Sequence, residues 1–192
     1  VNSPSLGKEI DCKEAFLAPG IIDMGVKICE PGERHKESFK SAGASAAAGG
    51  ITTMVTLPHT NPPIDSPEIL DFFLKIGDLV SPLKIVPMAA LTKNLDGKEI
   101  TEMAFLCDKG AVAFTNGLKQ ISSPKVFLNA LRYASDLDTL IISHPQDADL
   151  SKGAAATSGA FATLQGLPTV STIAEKLAID RDITLVENTG IK

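Results

Sequence analysis

Tryptophan is absent from the 192 residues, tyrosine occurs once, and aromatic residues make up only 5%. A base-stacking surface for single-stranded nucleic acid needs more than that. Positive charge is not in excess either: 18 Lys and Arg against 23 Asp and Glu give a net charge of −5, with the cations scattered. Neither a nucleic-acid footprint nor a polybasic membrane patch is therefore expected. No apolar run reaches the roughly 20 residues of a membrane span, and the opening VNSPSLGKEID lacks the charged-then-apolar layout of a secretory leader. Cysteine is scarce as well. Cys12, Cys29 and Cys107 are spaced too widely for a zinc motif or a disulfide framework. A reducing, cytoplasmic compartment is expected, with each cysteine serving as a small buried apolar residue.

What is present is an alternation of apolar strands and helices, organised around Pro19 to Glu37, PGIIDMGVKICEPGERHKE. A Pro-Gly turn opens it, a short apolar strand follows over Ile21 to Ile28, and Pro31-Gly32 closes the strand into a charged loop. A strand end that spills into a polar loop is where an α/β barrel keeps its chemistry. Ahead of it, Val1 to Leu17 reads as a polar lead-in with a short strand over Lys13 to Leu17. Behind it, an Ala-rich helix over Lys36 to Ala48 stops at Gly49-Gly50. The β-branched run ITTMVTLP suits a strand buried on both faces. Ser66-Pro67 then starts a helix to Leu79. Further strands are expected over Lys84–Ala90, Ala111–Phe114 and Thr139–Ser143, and further helices over Lys98–Lys109, Pro124–Ala134 and Val170–Glu187.

Crossovers of roughly 30 residues suit parallel βαβ units. Such a run makes an open doubly wound sheet or a closed barrel. No nucleotide-binding glycine fingerprint follows any strand, since Gly49-Gly50 ends a helix, and this counts against the dinucleotide-binding sheet. A closed eightfold barrel takes about 250 residues, so a barrel reading leaves this chain with about the first five β/α units.

Four stretches carry a family likeness: LAPGIID with EPG and KE, then SAGASAAAGGITTMVTLPHTNPPID, then GAVAFTNG, then IISHPQD. Together they resemble dihydroorotase, in the cyclic amidohydrolase branch of the amidohydrolase superfamily, from about Ile10 onward. The resemblance implies an α/β fold, the (β/α)8 TIM barrel of the amidohydrolase type. Residues 1–18 would be a remnant of the small β-sandwich and its junction, and residues 19–192 a partial barrel. It also implies a pair of zinc ions at the barrel mouth, which polarise a cyclic amide and supply hydroxide.

The ligands that the resemblance implies are largely replaced. The two histidine positions at the end of the first strand hold Gly25 and Lys27, and the arginine position after them holds Cys29. The asparagine that would hold the substrate carboxylate is His59, and the bridging acid on the fourth strand is Asn116. His144, on the fifth strand, alone retains a metal-ligand type. A protonated lysine repels a dication, glycine has nothing to ligate with, and an amide does not balance two metals. A replacement zinc site from Cys29, His35, His59 and His144 lacks the close ligand pair that tetrahedral sites show. Lone histidines in loops more often serve hydrogen bonding than ligation. Lys27 reads equally well as a stand-in cation paired with a carboxylate or as a snorkelling side chain. Asp147 and Asp149 read as solvated loop residues.

Two functions follow from the resemblance. One is a dihydroorotase-like protein of pyrimidine biosynthesis without catalysis, kept as a structural partner of aspartate carbamoyltransferase in an oligomer; no cofactor is then expected, although the family uses zinc. The other is an active zinc-dependent cyclic amidohydrolase, opening dihydroorotate to N-carbamoyl-aspartate through an atypical site. A small-ligand binder built on the old carboxylate pocket is a third.

Overall fold

The computed structural model describes residues 11–189. Its elements, in chain order, are β1 (Ile21–Val26), α1 (Phe39–Ala48), β2 (Ile51–Thr56), α2 (Pro67–Val80), β3 (Lys84–Pro87), β4 (Ala89–Ala90), α3 (Met103–Asp108), β5 (Ala113–Thr115), α4 (Pro124–Asp136), β6 (Leu140–Ile142), β7 (Ala156–Thr157), α5 (Ala160–Leu164), β8 (Thr169–Val170) and α6 (Ile173–Thr189). β1, β2 and β3 form one parallel run, and β4, β5 and β6 a second. The break between them is a single residue, Met88. Bonds from Met88 N to Thr56 O (2.9 Å) and from Val112 N to Pro87 O (3.1 Å) carry the hydrogen bonding across it. The expected strand over Lys84–Ala90 is thus β3 and β4 in succession.

Local chemistry explains the helix starts. Ser38 and Ser41 form a reciprocal cap at α1, with Ser41 N donating to Ser38 Oγ (3.1 Å) and Ser38 N donating to Ser41 Oγ (3.0 Å). α1 therefore begins at Phe39, not at Lys36. Ser66 and Ser123 cap α2 and α4, each followed by a proline at the first helical position. Small residues let α1 lie close to its neighbours: a Cβ on Gly43 would fall 2.6 Å from Pro82 Cδ. Below α1 and α2, Phe39 and Phe73 meet edge to face with centroids 4.7 Å apart, both fully buried.

Several expectations need correction. The strand over Lys13–Leu17 does not form: Ala15 N bonds Cys12 O in a turn, and Phe16 and Leu17 are exposed. Among the described residues no surface covers Phe16 and Leu17, so a strand there would have no face to bury. β1 stops at Val26, two residues short of Ile28. α3 starts at Met103 rather than Lys98, because the buried Thr101 turns its hydroxyl onto Ala90 O (2.8 Å) and holds the preceding stretch off the helical path. Val170 belongs to β8, and the last helix begins at Ile173. The short β7–β8 ribbon and α5 were not expected; they are too brief to leave a periodic signal. Residues 1–10 of the expected junction lie outside the described residues.

β1 is an edge among the described strands, and it is apolar: Ile21, Ile22 and Met24 are 58%, 62% and 64% exposed. Open apolar edges drive strand-to-strand association. A polypeptide restricted to residues 1–192 is therefore expected to self-associate with rising concentration. Placing lysine at both Ile22 and Met24 should raise its soluble fraction several-fold with an unchanged circular dichroism spectrum. Light scattering checks this, and equal scattering of the parent and the double variant would contradict it.

Candidate active site at the strand ends

The C-terminal ends of the parallel strands carry every candidate residue. After β1, the loop through Glu30, Pro31 and Gly32 locks into the loop after β2. Asn61 N donates to Pro31 O (3.0 Å), and a Cβ on Gly32 would fall 2.5 Å from Asn61 Cβ. Glu30 Oε2 accepts from Phe39 N (3.1 Å), tying the same loop to the start of α1.

Gly25 is a bulge. The register passes from Met24↔Val55 to Val26↔Thr56, skipping Gly25, whose φ is +88°. This is backbone that L side chains rarely adopt. The absence of a side chain there is thus a feature of the strand's geometry as well as of its chemistry. Lys27, next along, is exposed and makes neither an ion pair nor a hydrogen bond with any described residue. Cys29 is buried and offers nothing to a carboxylate.

Asn116 follows β5 and is buried. Its Nδ2 donates to Thr92 Oγ1 (2.7 Å), and its Oδ1 accepts from Thr92 N (3.1 Å). Thr92 Oγ1 also accepts from Gly97 N (2.9 Å). Both polar atoms of the amide are therefore spent on a clamp between the chain after β4 and the chain after β5. The sequence does not disclose this role.

His59 lies against Gly117. A Cβ built on Gly117 would sit 1.7 Å from His59 Cε1 and 2.7 Å from both ring nitrogens. The ring thus reaches past the end of β4 and rests on the backbone after β5. Its Nδ1 is buried without a hydrogen-bond partner among the described residues. Burial holds the imidazole below its usual 6.5, helped by the charges of Lys27 and Lys119 and opposed by a hydrogen bond with the Asn116 backbone. The folded state thus resists taking a proton that the unfolded chain accepts. His59 contributes its full stability above pH 6.5, and that contribution is lost as pH falls below 6.5 toward the depressed folded value. Urea midpoints should fall between pH 7.5 and pH 5.5, and His59→Gln should flatten that slope; an unchanged slope would contradict the assignment.

His144, after β6, is half-buried, with Nε2 3.4 Å from Gln146 Oε1. It borders an open cleft shared with Thr157, Ser171, Thr172 and Glu175. Ser143 Oγ donates to Asp182 Oδ2 (2.6 Å), and Arg181 donates to Asp182 Oδ1 (2.5 Å) and to Ile121 O (2.8 Å), anchoring α6 on this rim. Asp147 Oδ1 accepts from Asp149 N (3.1 Å) and Leu150 N (2.9 Å), so it shapes a turn, while Asp149 is exposed.

A family profile described as Dihydro-orotase-like matches residues 14–192. The chain belongs to the dihydroorotase-like family. It is 37% identical over 188 residues to a dihydroorotase-like protein of Pseudomonas putida, covering 98% of this chain and 44% of that protein. It is 36% identical over 181 residues to a dihydroorotase of Syntrophus aciditrophicus, covering 94% of this chain and 42% of that one. This dihydroorotase-like chain thus spans less than half the length of these relatives. Among solved structures it is similar to the L-hydantoinase of Arthrobacter aurescens, with a TM-score of 0.71 and 21% identity over 90% of this chain and 40% of that one. It is also similar to the dihydroorotase of Saccharomyces cerevisiae in complex with 5-fluoroorotic acid, with a TM-score of 0.58 and 13% identity over 90% and 46%. The structural likeness shows the fold: a partial (β/α)8 barrel of the amidohydrolase type.

The donors do not fit the zinc pair that the resemblance implied. Position 25 is a positive-φ bulge, position 27 is a cation, and both polar atoms of Asn116 are engaged. Among the described residues, no group of three His, Cys, Asp or Glu gathers around a common point, so the set Cys29, His35, His59 and His144 is not brought together.

Proposed function

We propose that this chain is part of a dihydroorotase-like protein of pyrimidine biosynthesis that does not hydrolyse dihydroorotate and serves as a structural partner of aspartate carbamoyltransferase. Residues 1–18 act as the junction to a small β-sandwich in this reading, and residues 19–192 as the first part of the barrel. The observation that carries the loss of catalysis is the state of the strand ends. Gly25, Lys27 and Asn116 stand where the family's reaction needs ligands, and each is committed to something else or chemically unsuited. Hydroxide generation near neutral pH needs a metal or an equivalent acid-lowering group, and the described residues of this rim gather no metal-ligand cluster. The partnership is supported by the family resemblance and by an acidic balance without nucleic-acid features.

The test uses the full-length polypeptide. Dihydroorotate turnover is expected at background, with well under one zinc per chain after dialysis. Gly25→His with Lys27→His should not restore activity, because Asn116 stays locked on Thr92 and a histidine at position 25 meets positive-φ backbone. Robust turnover by the unmodified protein overturns the reading. Co-expression with the transcarbamoylase followed by sizing tests the partnership, and two independent peaks across concentrations reject it.

A further inference from the structure

The rim carries positive charge that the described residues leave unpaired. Leu57 N donates to Val26 O (2.8 Å), which sets Lys27 beside the start of the loop that bears His59. His59 rests on Gly117, and Lys119 follows two residues later. Lys27, His59 and Lys119 therefore follow one another across the ends of β1, β2 and β5. Both lysines are exposed, and neither makes an ion pair or hydrogen bond with a described residue. Both act on the His59 ring, and no carboxylate offsets them there. Glu33, the carboxylate that feels Lys27, is held by Lys36 at 2.5 Å. His59 Nδ1 is buried without a hydrogen-bond partner among the described residues.

We propose that this row is a metal-free anion site, in which Lys27 and Lys119 hold a small dianion, a dicarboxylate or hydrogen phosphate, across His59. Two flanking ammonium groups match two negative charges as point charges, without the planar geometry that a guanidinium would demand. The chain thus carries covalently the positive charge that a metal pair would otherwise bring. The inference rests on the reading that the rim no longer holds zinc.

The experiment titrates the EDTA-stripped, full-length polypeptide by calorimetry with malonate and, separately, with inorganic phosphate at low salt and pH 7.5. Saturable one-to-one binding of at least one of them is expected, unchanged by EDTA. Lys27→Gln and Lys119→Gln should each weaken it at least tenfold, and Lys27→Arg should bring it back to within about threefold. Both lysines are exposed and pair with no described residue, so the variants should keep the parent's thermal midpoint. Malonate alone assigns a dicarboxylate, and phosphate alone assigns phosphate. Failure of both to bind, parental affinity in either glutamine variant, or binding that appears only with added zinc overturns the proposal. Dihydroorotate turnover is read on the same sample. Turnover without anion binding overturns this inference and the non-catalytic reading together; neither turnover nor binding overturns this inference alone.

Discussion

Phe39→Ala is expected to lower the unfolding free energy by about 3–5 kcal/mol. Phe39 is fully buried, and its ring meets Phe73 edge to face at 4.7 Å. Truncation removes the transfer energy of the ring, leaves a cavity, and deletes a pair worth about 1 kcal/mol beyond its area. The site is poorly placed to collapse. A Cβ on neighbouring Gly77 would already fall 3.3 Å from Phe39 Cε1 and 3.2 Å from Ile85, so the backbone of α2 is drawn in against the ring. Domains are stable by about 5–15 kcal/mol, so the loss is a large fraction of the whole. Phe39 also accounts for the position of the first loop, because its N–H is held by Glu30. Loosening it should weaken that loop too. Urea denaturation of the full-length polypeptide checks the magnitude; a loss under about 1 kcal/mol would mean that the pair is not a core element.

Gly117→Ala should cost about 1–3 kcal/mol, for two independent reasons. Gly117 has φ +58°, which an alanine enters only with strain, and its new Cβ would lie 1.7 Å from His59 Cε1. The ring must therefore leave its seat. Outside, it regains solvent and moves away from its orphaned burial. Its titration should return toward the ordinary imidazole value of 6.5. Nuclear magnetic resonance of the histidine ring protons reads that shift directly. A destabilised variant in which His59 still titrates low would show that the contact with Gly117 does not set its environment. Gly117→Ser should behave alike, whereas Gly153→Ala, at φ +75° with open space around it, isolates the backbone cost from the contact.

Much of the architecture was readable because periodicity and punctuation agreed. Gly49-Gly50, Ser66-Pro67 and Ser123-Pro124 mark helix boundaries by local chemistry, and the structure places the ends there. The β-branched run after Gly50 is the strand β2. What escaped was set by distant partners. Thr101 leaves the helical path because of a carbonyl eleven residues earlier, Ala90 O. Lys13–Leu17 carries apolar residues but buries none of them: Phe16 and Leu17 are exposed. At the rim, the replacement of ligand types at Gly25, Lys27 and Asn116 was visible as residue identity alone. Their uses were not. The skipped register at Gly25, the Thr92 clamp on Asn116 and the rest of His59 on Gly117 are three-dimensional coincidences. The one hint was glycine itself at 25 and 117, where a side chain would be strained.

The interlocked loops after β1 and β2 have a mechanical consequence. Pro31, Gly32 and Asn61 are joined by a backbone bond and by contact too close for a Cβ, and Glu30 fastens the same unit to α1. That side of the opening behaves as a single stiff plate. The opposite side, 117–121, has ties of its own: Gly117 N to Thr115 Oγ1, Lys119 N to Asn116 O, and Arg181 to Ile121 O, and the His59 ring rests on it from the loop after β2. The two sides are therefore coupled through His59, and a displacement of either is passed to the other.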